Sequence, residues 1–80
     1  MTDTEILQHI EQLVNEEHEL YERSEATGLD ETEHARMKAL EVSLDQCWDL
    51  LRQRRARRSA GLNPDDAAER DPNIVEHYQQ

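Results

Sequence analysis

The sequence predicts an all-α fold: an antiparallel, coiled-coil-like two-helix hairpin that dimerises into a four-helix bundle and carries a short acidic C-terminal tail. Three observations predict it. Apolar residues recur at steps of three and four along two long stretches. Each stretch opens on a capping signal and closes at a glycine. Finally, 80 residues with no Phe, one Trp and a single cysteine leave a thin core and no internal disulfide, which makes association the expected supplement to stability.

Helix 1 is expected over about residues 3–27. Thr2 with Glu5 has the spacing of a capping box, in which the N-cap hydroxyl and the N3 carboxylate each accept a backbone N–H. Gly28 supplies the left-handed residue that suits a helix end. Asp30 with Glu33 repeats the capping box and starts helix 2, expected over about residues 31–60 and stopped by Gly61. Residues 1–61 therefore read as the hairpin and residues 62–80 as a tail, partly helical or extended. In the tail, Asn63-Pro64 suits an N-cap followed by proline at the first helical position. Ile74, Val75 and Tyr78 have the spacing of one apolar face.

The stripes give the helices their faces. Helix 1 carries Ile6, Leu7, Ile10, Leu13, Val14, Leu20 and Tyr21, interrupted at Glu17 and His18. Helix 2 carries a heptad seam of Met37, Leu40, Leu44, Cys47 and Leu51, with Trp48 beside it. A turn of two or three residues makes the helices antiparallel, so Leu20 is expected opposite Met37, Leu13 or Val14 opposite Leu44, and Ile10 opposite Cys47 and Trp48. A weaker second stripe, Ala35, Ala39, Val42 and Leu50, is the surface a symmetric homodimer would cover. Helix 2 outruns helix 1 at its C-terminal end, so Arg54 to Arg58 are expected to overhang.

The segment "ALEVSLDQCWDLLRQRRARRSAG", residues 39–61, resembles the signature of a family of uncharacterised actinobacterial proteins, domain-of-unknown-function family 2630. The opening "EILQHIEQLVNEEHELYE", the turn "GLDETEHARMKALE" and the tail "NPDDAAERDPNIVEHY" are similar as well. The resemblance implies a bacterial cytosolic origin and brings no activity with it.

Charge is the most informative functional feature. The net charge is −10, yet residues 52–60 hold five arginines and no acid. The other blocks, residues 1–27, 28–51 and 61–80, sum to −7, −4 and −4. Arginines in the last turns of a helix complement its macrodipole. Asp3 and Glu5 are expected beside Arg52 to Arg55, with Asp65, Asp66, Glu69 and Asp71 folding back from the tail. The run is therefore read first as an intramolecular clasp. The candidate interaction residues are Trp48, Arg52, Arg54, Arg55, Arg57 and Arg58, because Trp and Arg dominate protein-binding hot spots. Their expected partner is another protein of unknown identity. Nucleic acid is the weaker alternative, because a strongly negative chain opposes phosphate and no recognition-helix or RNA-binding motif is present.

Other chemistry finds little support in the residues. Glu31 and His34 have the spacing of helical-bundle metal ligands, with Glu16, Glu17 and His18 on the other helix, but the antiparallel register keeps the two sets apart. Glu17 falls on the inner side of helix 1 and is expected at an edge or paired with Arg36 or Lys38. Cys47 reads as a small core residue. No catalytic, cofactor-binding or metal residue is assigned, and an enzyme is not expected. No apolar run reaches the ~18 residues a membrane span needs, so no membrane contact is expected. The absence of an export signal and the free thiol point to the cytoplasm.

Overall fold

The computed structural model describes residues 2–78, the side chains as far as Val75, and is all-helical there. Helix α1 runs Asp3–Thr27 and helix α2 runs Glu31–Ser59. Their starts are fixed by reciprocal bonds. The Glu5 N–H donates to Thr2 Oγ1 at 3.2 Å, and the Thr2 N–H donates back to Glu5 Oε1 at 3.0 Å. Asp30 and Glu33 do the same at 2.8 and 3.2 Å. Each box satisfies donors that a helix start otherwise leaves unpaired.

The helix ends use glycine where the backbone requires it. Gly28 has φ +77° and Gly61 φ +74°, values that side chains with a Cβ rarely adopt. At the end of α2 the Leu62 N–H donates to the Arg57 carbonyl at 2.8 Å and the Gly61 N–H to the Arg58 carbonyl at 3.2 Å, the paired bonds of a Schellman stop. The chain then makes a 3-10 turn, Pro64–Asp66, and a short helix α3, Pro72–Tyr78. Asp71 caps α3 by accepting the Asn73 N–H at its side chain, 2.8 Å away.

Ile6, Ile10, Leu13 and Leu20 of α1 and Leu40, Leu44, Cys47 and Leu50 of α2 form the core. Leu40 is fully enclosed, and Met37 and Leu51 pack at the edge. The tail adds a second layer. Val75 of α3 is only 1% exposed, and both α3 and the 3-10 turn pack on α2. Tyr78's side chain, expected on the same face, lies outside the described residues.

Two expectations change. Leu50, placed on a stripe awaiting a second chain, is buried within one chain; Leu51, placed in the seam, is half-buried. A straight helix drifts ~20° per heptad relative to a strict seven-residue repeat. From Met37 to Leu51 that drift alone would favour Trp48; it is the tail, packed on α2 through α3 and the 3-10 turn with Glu69 near Leu50, that encloses Leu50 instead. The remainder of that stripe is divided, with Val42 half-buried and Ala35 and Ala39 exposed. Among the described residues no helix is long and apolar enough to cross a membrane.

Candidate functional site

The arginine-rich end is built from three pieces of chain. Asp3 in the first turn of α1, Arg54 and Arg58 one turn apart on α2, and Asp65 in the 3-10 turn converge there. Arg54 is 6% exposed, an unusual state for a guanidinium, and it donates to three acceptors. Its Nε donates to Asp3 Oδ1 at 2.5 Å, and its Nη1 donates to Asp65 Oδ1 at 3.0 Å and to the Pro64 carbonyl at 3.2 Å. Arg58 closes on the same carboxylate, Nη2 to Asp3 Oδ2 at 2.8 Å. Two guanidiniums on one carboxylate hold the Asp3 carboxyl below its ordinary range, the hydrogen bond from Arg58 being the larger cause and that from Arg54 the next.

The clasp thus takes two of the five arginines. Arg52 and Arg55 are exposed and Arg57 is half-buried; none of the three makes an ion pair among the described residues. Trp48 is 45% exposed, placed neither inside the hairpin nor under a neighbouring element. Of the four tail acids expected to fold back, Asp65 alone pairs with an arginine of the run among the described residues.

A second polar contact was not anticipated. Asp49 is buried on the tail side of α2, where Gln53 Nε2 donates to its Oδ2 at 2.9 Å and Arg70 Nε lies 3.4 Å from the same oxygen. Gln53 also donates to the Ala68 carbonyl at 2.8 Å, and Gln46 to the Arg70 carbonyl at 3.1 Å. Beyond the Asp65–Arg54 pair, the tail is held by polar side chains on its backbone and by its one arginine on a helix acid, the reverse of the expected polarity. The available signal was the spacing of Gln46, Asp49 and Gln53, which puts three short-range hydrogen-bonding groups on one helix face.

At the turn end, Arg23 pairs with Glu33, and Arg36 grips Glu16, its Nη2 donating to Oε1 at 2.8 Å. These guanidiniums hold the Glu16 and Glu33 carboxyls below their ordinary range. Arg36 therefore serves Glu16 and not Glu17, which is half-exposed and unpaired among the described residues. His18 lies 3.2 Å from Glu22, and Glu31 and His34 face solvent. Among the described residues no group of three or more His, Cys, Asp or Glu side chains could hold a metal ion. Cys47 is buried, and desolvation, with the charge of Glu69 adding, pushes its thiol up and keeps it protonated at neutral pH. A shallow groove of about 330 Å³ lies beside it, bordered by Glu5, His9 and Gln12 of α1 and by Leu50 and Glu69.

The remaining surface feature is apolar. Leu7, Val14 and Tyr21 are exposed at seven-residue intervals along α1, with exposed Glu11 and His18 on the turns between them. Seven residues are two turns, so the stripe runs nearly parallel to the helix axis.

The comparisons with known proteins agree with one another. Uncharacterised proteins of Mycobacterium tuberculosis and Mycobacterium bovis are 46% identical over 78 residues, covering 96% of this chain and 90% of theirs. No solved structure matches the chain. The model of the family described as protein of unknown function (DUF2630) matches residues 2–80, and the chain belongs to that family.

Proposed function

We propose that the chain is a non-catalytic protein-interaction module of the cytoplasm: a helical hairpin stapled by its own tail on one flank and offering the other flank to a protein. One observation carries this reading. Trp48, Leu7, Val14 and Tyr21 are all large and exposed on the two long helices, the other large exposed apolar side chains, Leu62 and Ile74, belonging to the tail. Exposed apolar side chains that line up, where single ones would be unremarkable, mark interaction surfaces, and Trp is the residue most enriched among binding hot spots. Arg52 and Arg55 beside Trp48 add donors for an acidic rim. A homodimer, two hairpins making a four-helix bundle, is the simplest assembly of this kind.

The test is a photo-crosslinking amino acid placed at position 48 of the full chain in the native cell. Defined cross-linked products that are absent when the probe stands at exposed Ala60 are expected. Equal labelling at the two positions would reject the module.

A second reading, weak binding of nucleic acid, draws on Arg52 and Arg55, the two exposed arginines of the run that stand outside the clasp. On a single strand each phosphate neutralised contributes about 0.7 to the salt slope, so two cations give a slope of only ~1.4. A titration against single-stranded DNA at low salt checks it. Binding lost on changing both arginines to glutamine supports this reading, and no binding ends it.

A further inference from the structure

A trough lies between α2 and the tail, and arginines border it from both sides. It consists of two hollows of about 280 and 210 Å³ that share Gln53, Ala56 and Arg70 and so run into each other. Arg57 and Leu62 border one end, Arg52 and Asp49 the other. Ala56 stands next to Arg57 and one turn from Arg52, and its side chain is a single methyl, which leaves room above it.

The charges around this trough do not balance. Three guanidiniums and one carboxylate line it, a local charge of +2 in a chain of −10. The carboxylate, Asp49, is buried and already accepts from Gln53 at 2.9 Å, with Arg70 Nε 3.4 Å away. That contact fixes Arg70 at the trough while its side chain stays 41% exposed. Arg52 and Arg57 make no ion pair among the described residues, although the chain holds 19 acids. Like charges from two elements are thus gathered round one hollow with only Asp49 to offset them.

We infer that the trough binds the phosphate group of a small organic phosphate. A phosphate monoester brings close to two negative charges and three acceptor oxygens at neutral pH, which matches the residual charge. Guanidinium forks meet phosphate oxygens through paired N–H donors, and here the forks come from both walls. Leu62, 55% exposed, and Ala56 give the organic part of the ligand an apolar ledge. Arg52 to Arg57 covers only ~7.5 Å of helix, the span of a single small molecule. The net charge of the chain opposes an anion at long range, but screening over ~8 Å at physiological salt leaves the trough's own charges to decide. Bound there, the phosphate bridges Arg70 of the tail to Arg57 of α2 and fastens the tail. This site is independent of the interaction-module reading, and either stands if the other fails.

The experiment titrates phenyl phosphate into the full chain by calorimetry at about pH 7.5 and constant ionic strength. One site per chain with a Kd of about 1 mM or tighter is expected. Affinity should fall several-fold at about pH 5, where the ester has lost one of its two charges. Arg57→Gln breaks no ion pair among the described residues, so it should keep its helical circular dichroism and weaken binding about tenfold or more. Arg55→Gln, in the same run but outside the trough, should leave the affinity unchanged. Saturating phenyl phosphate should also slow tryptic cleavage after Arg70 in the wild-type chain. No saturable binding at ~10 mM, a concentration that reveals even feeble sites, would overturn the proposal. Equal weakening by Arg55→Gln and Arg57→Gln would overturn it too, by revealing diffuse attraction to the whole run. Unchanged cleavage after Arg70 would overturn the placement between α2 and the tail, and inorganic phosphate binding as tightly as phenyl phosphate would overturn the organic ligand. Cross-linking through position 48 reads the interaction module separately from all of these.

Discussion

The two flanks of the hairpin are finished in opposite ways. On one, the tail lays Val75 and the 3-10 turn over α2, and every strongly buried polar side chain there has partners: Asp49 has Gln53 and Arg70, and Arg54 has Asp3, Asp65 and a carbonyl. On the other, Leu7, Val14, Tyr21 and Trp48 stand half in water with nothing laid over them among the described residues. A two-helix hairpin buries one stripe of each helix, and 19 further residues of tail can cover only one side. The covered side is rich in polar groups needing partners, the bare side in apolar ones, and burying the former without partners would be the costlier arrangement.

The most drastic way to break the contrast is to remove what both flanks share. Leu40→Ala empties a fully enclosed site and should cost about 2–5 kcal/mol. At ~4–8 °C per kcal/mol, a thermal melt should move down by roughly 8–40 °C, or the hairpin should not fold. Next, Val75→Asp should undock α3 and strip the covered flank. The burial lost is about 1.5–3 kcal/mol, and the tail around Arg70 should become the first site of limited proteolysis while both long helices persist.

A third variant set separates the arginines. Arg54→Ala should lower the melting temperature clearly, and Arg54→Lys should not rescue it, because an ammonium cannot spread across Asp3, Asp65 and the Pro64 carbonyl as a guanidinium fork does. Arg52→Ala and Arg55→Ala should stay within about 4 °C of wild type, as exposed substitutions do. Equal effects of all three would remove the distinction between clasp and free arginine.

The smallest effect is with acid. Hydrogen bonds from arginine hold the Asp3, Glu16 and Glu33 carboxyls below their unfolded values. Their contribution is full above about pH 5 and fades as pH falls through ~4 toward the folded values. Melting temperatures should be flat from about pH 5 to 8 and decline below ~4, and Asp3→Asn should make that decline shallower.

The helices were legible because their signals are local. Thr2 with Glu5 and Asp30 with Glu33 act over three residues, and Gly28 and Gly61 each announce a backbone conformation by themselves. The clasp was legible in outline, since charges of opposite sign had to meet once the helices were antiparallel. Its membership was not: Arg54 and Arg58 are selected from five arginines by facing Asp3, a matter of helix rotation. The docking of the tail through Asp49 and Arg70 was hidden because it joins residues far apart in sequence, and because an acidic tail suggests acid-to-arginine contacts only. Leu50 and Trp48 shared that fate. Which of them is covered depends on the side the tail takes, and no spacing within α2 records it.

Asp3 and Arg58 are 55 residues apart, whereas Arg23 and Glu33 at the turn are separated by ten. Closing a loop costs more entropy as it lengthens, although only as the logarithm of its length. A hairpin that zips upward from Gly28 reaches the Asp3 carboxylate last, when each preceding contact has already shortened the effective loop. The clasp is then the final fastening of a zipper. It adds little to how the two helices find each other and much to how seldom their open end frays.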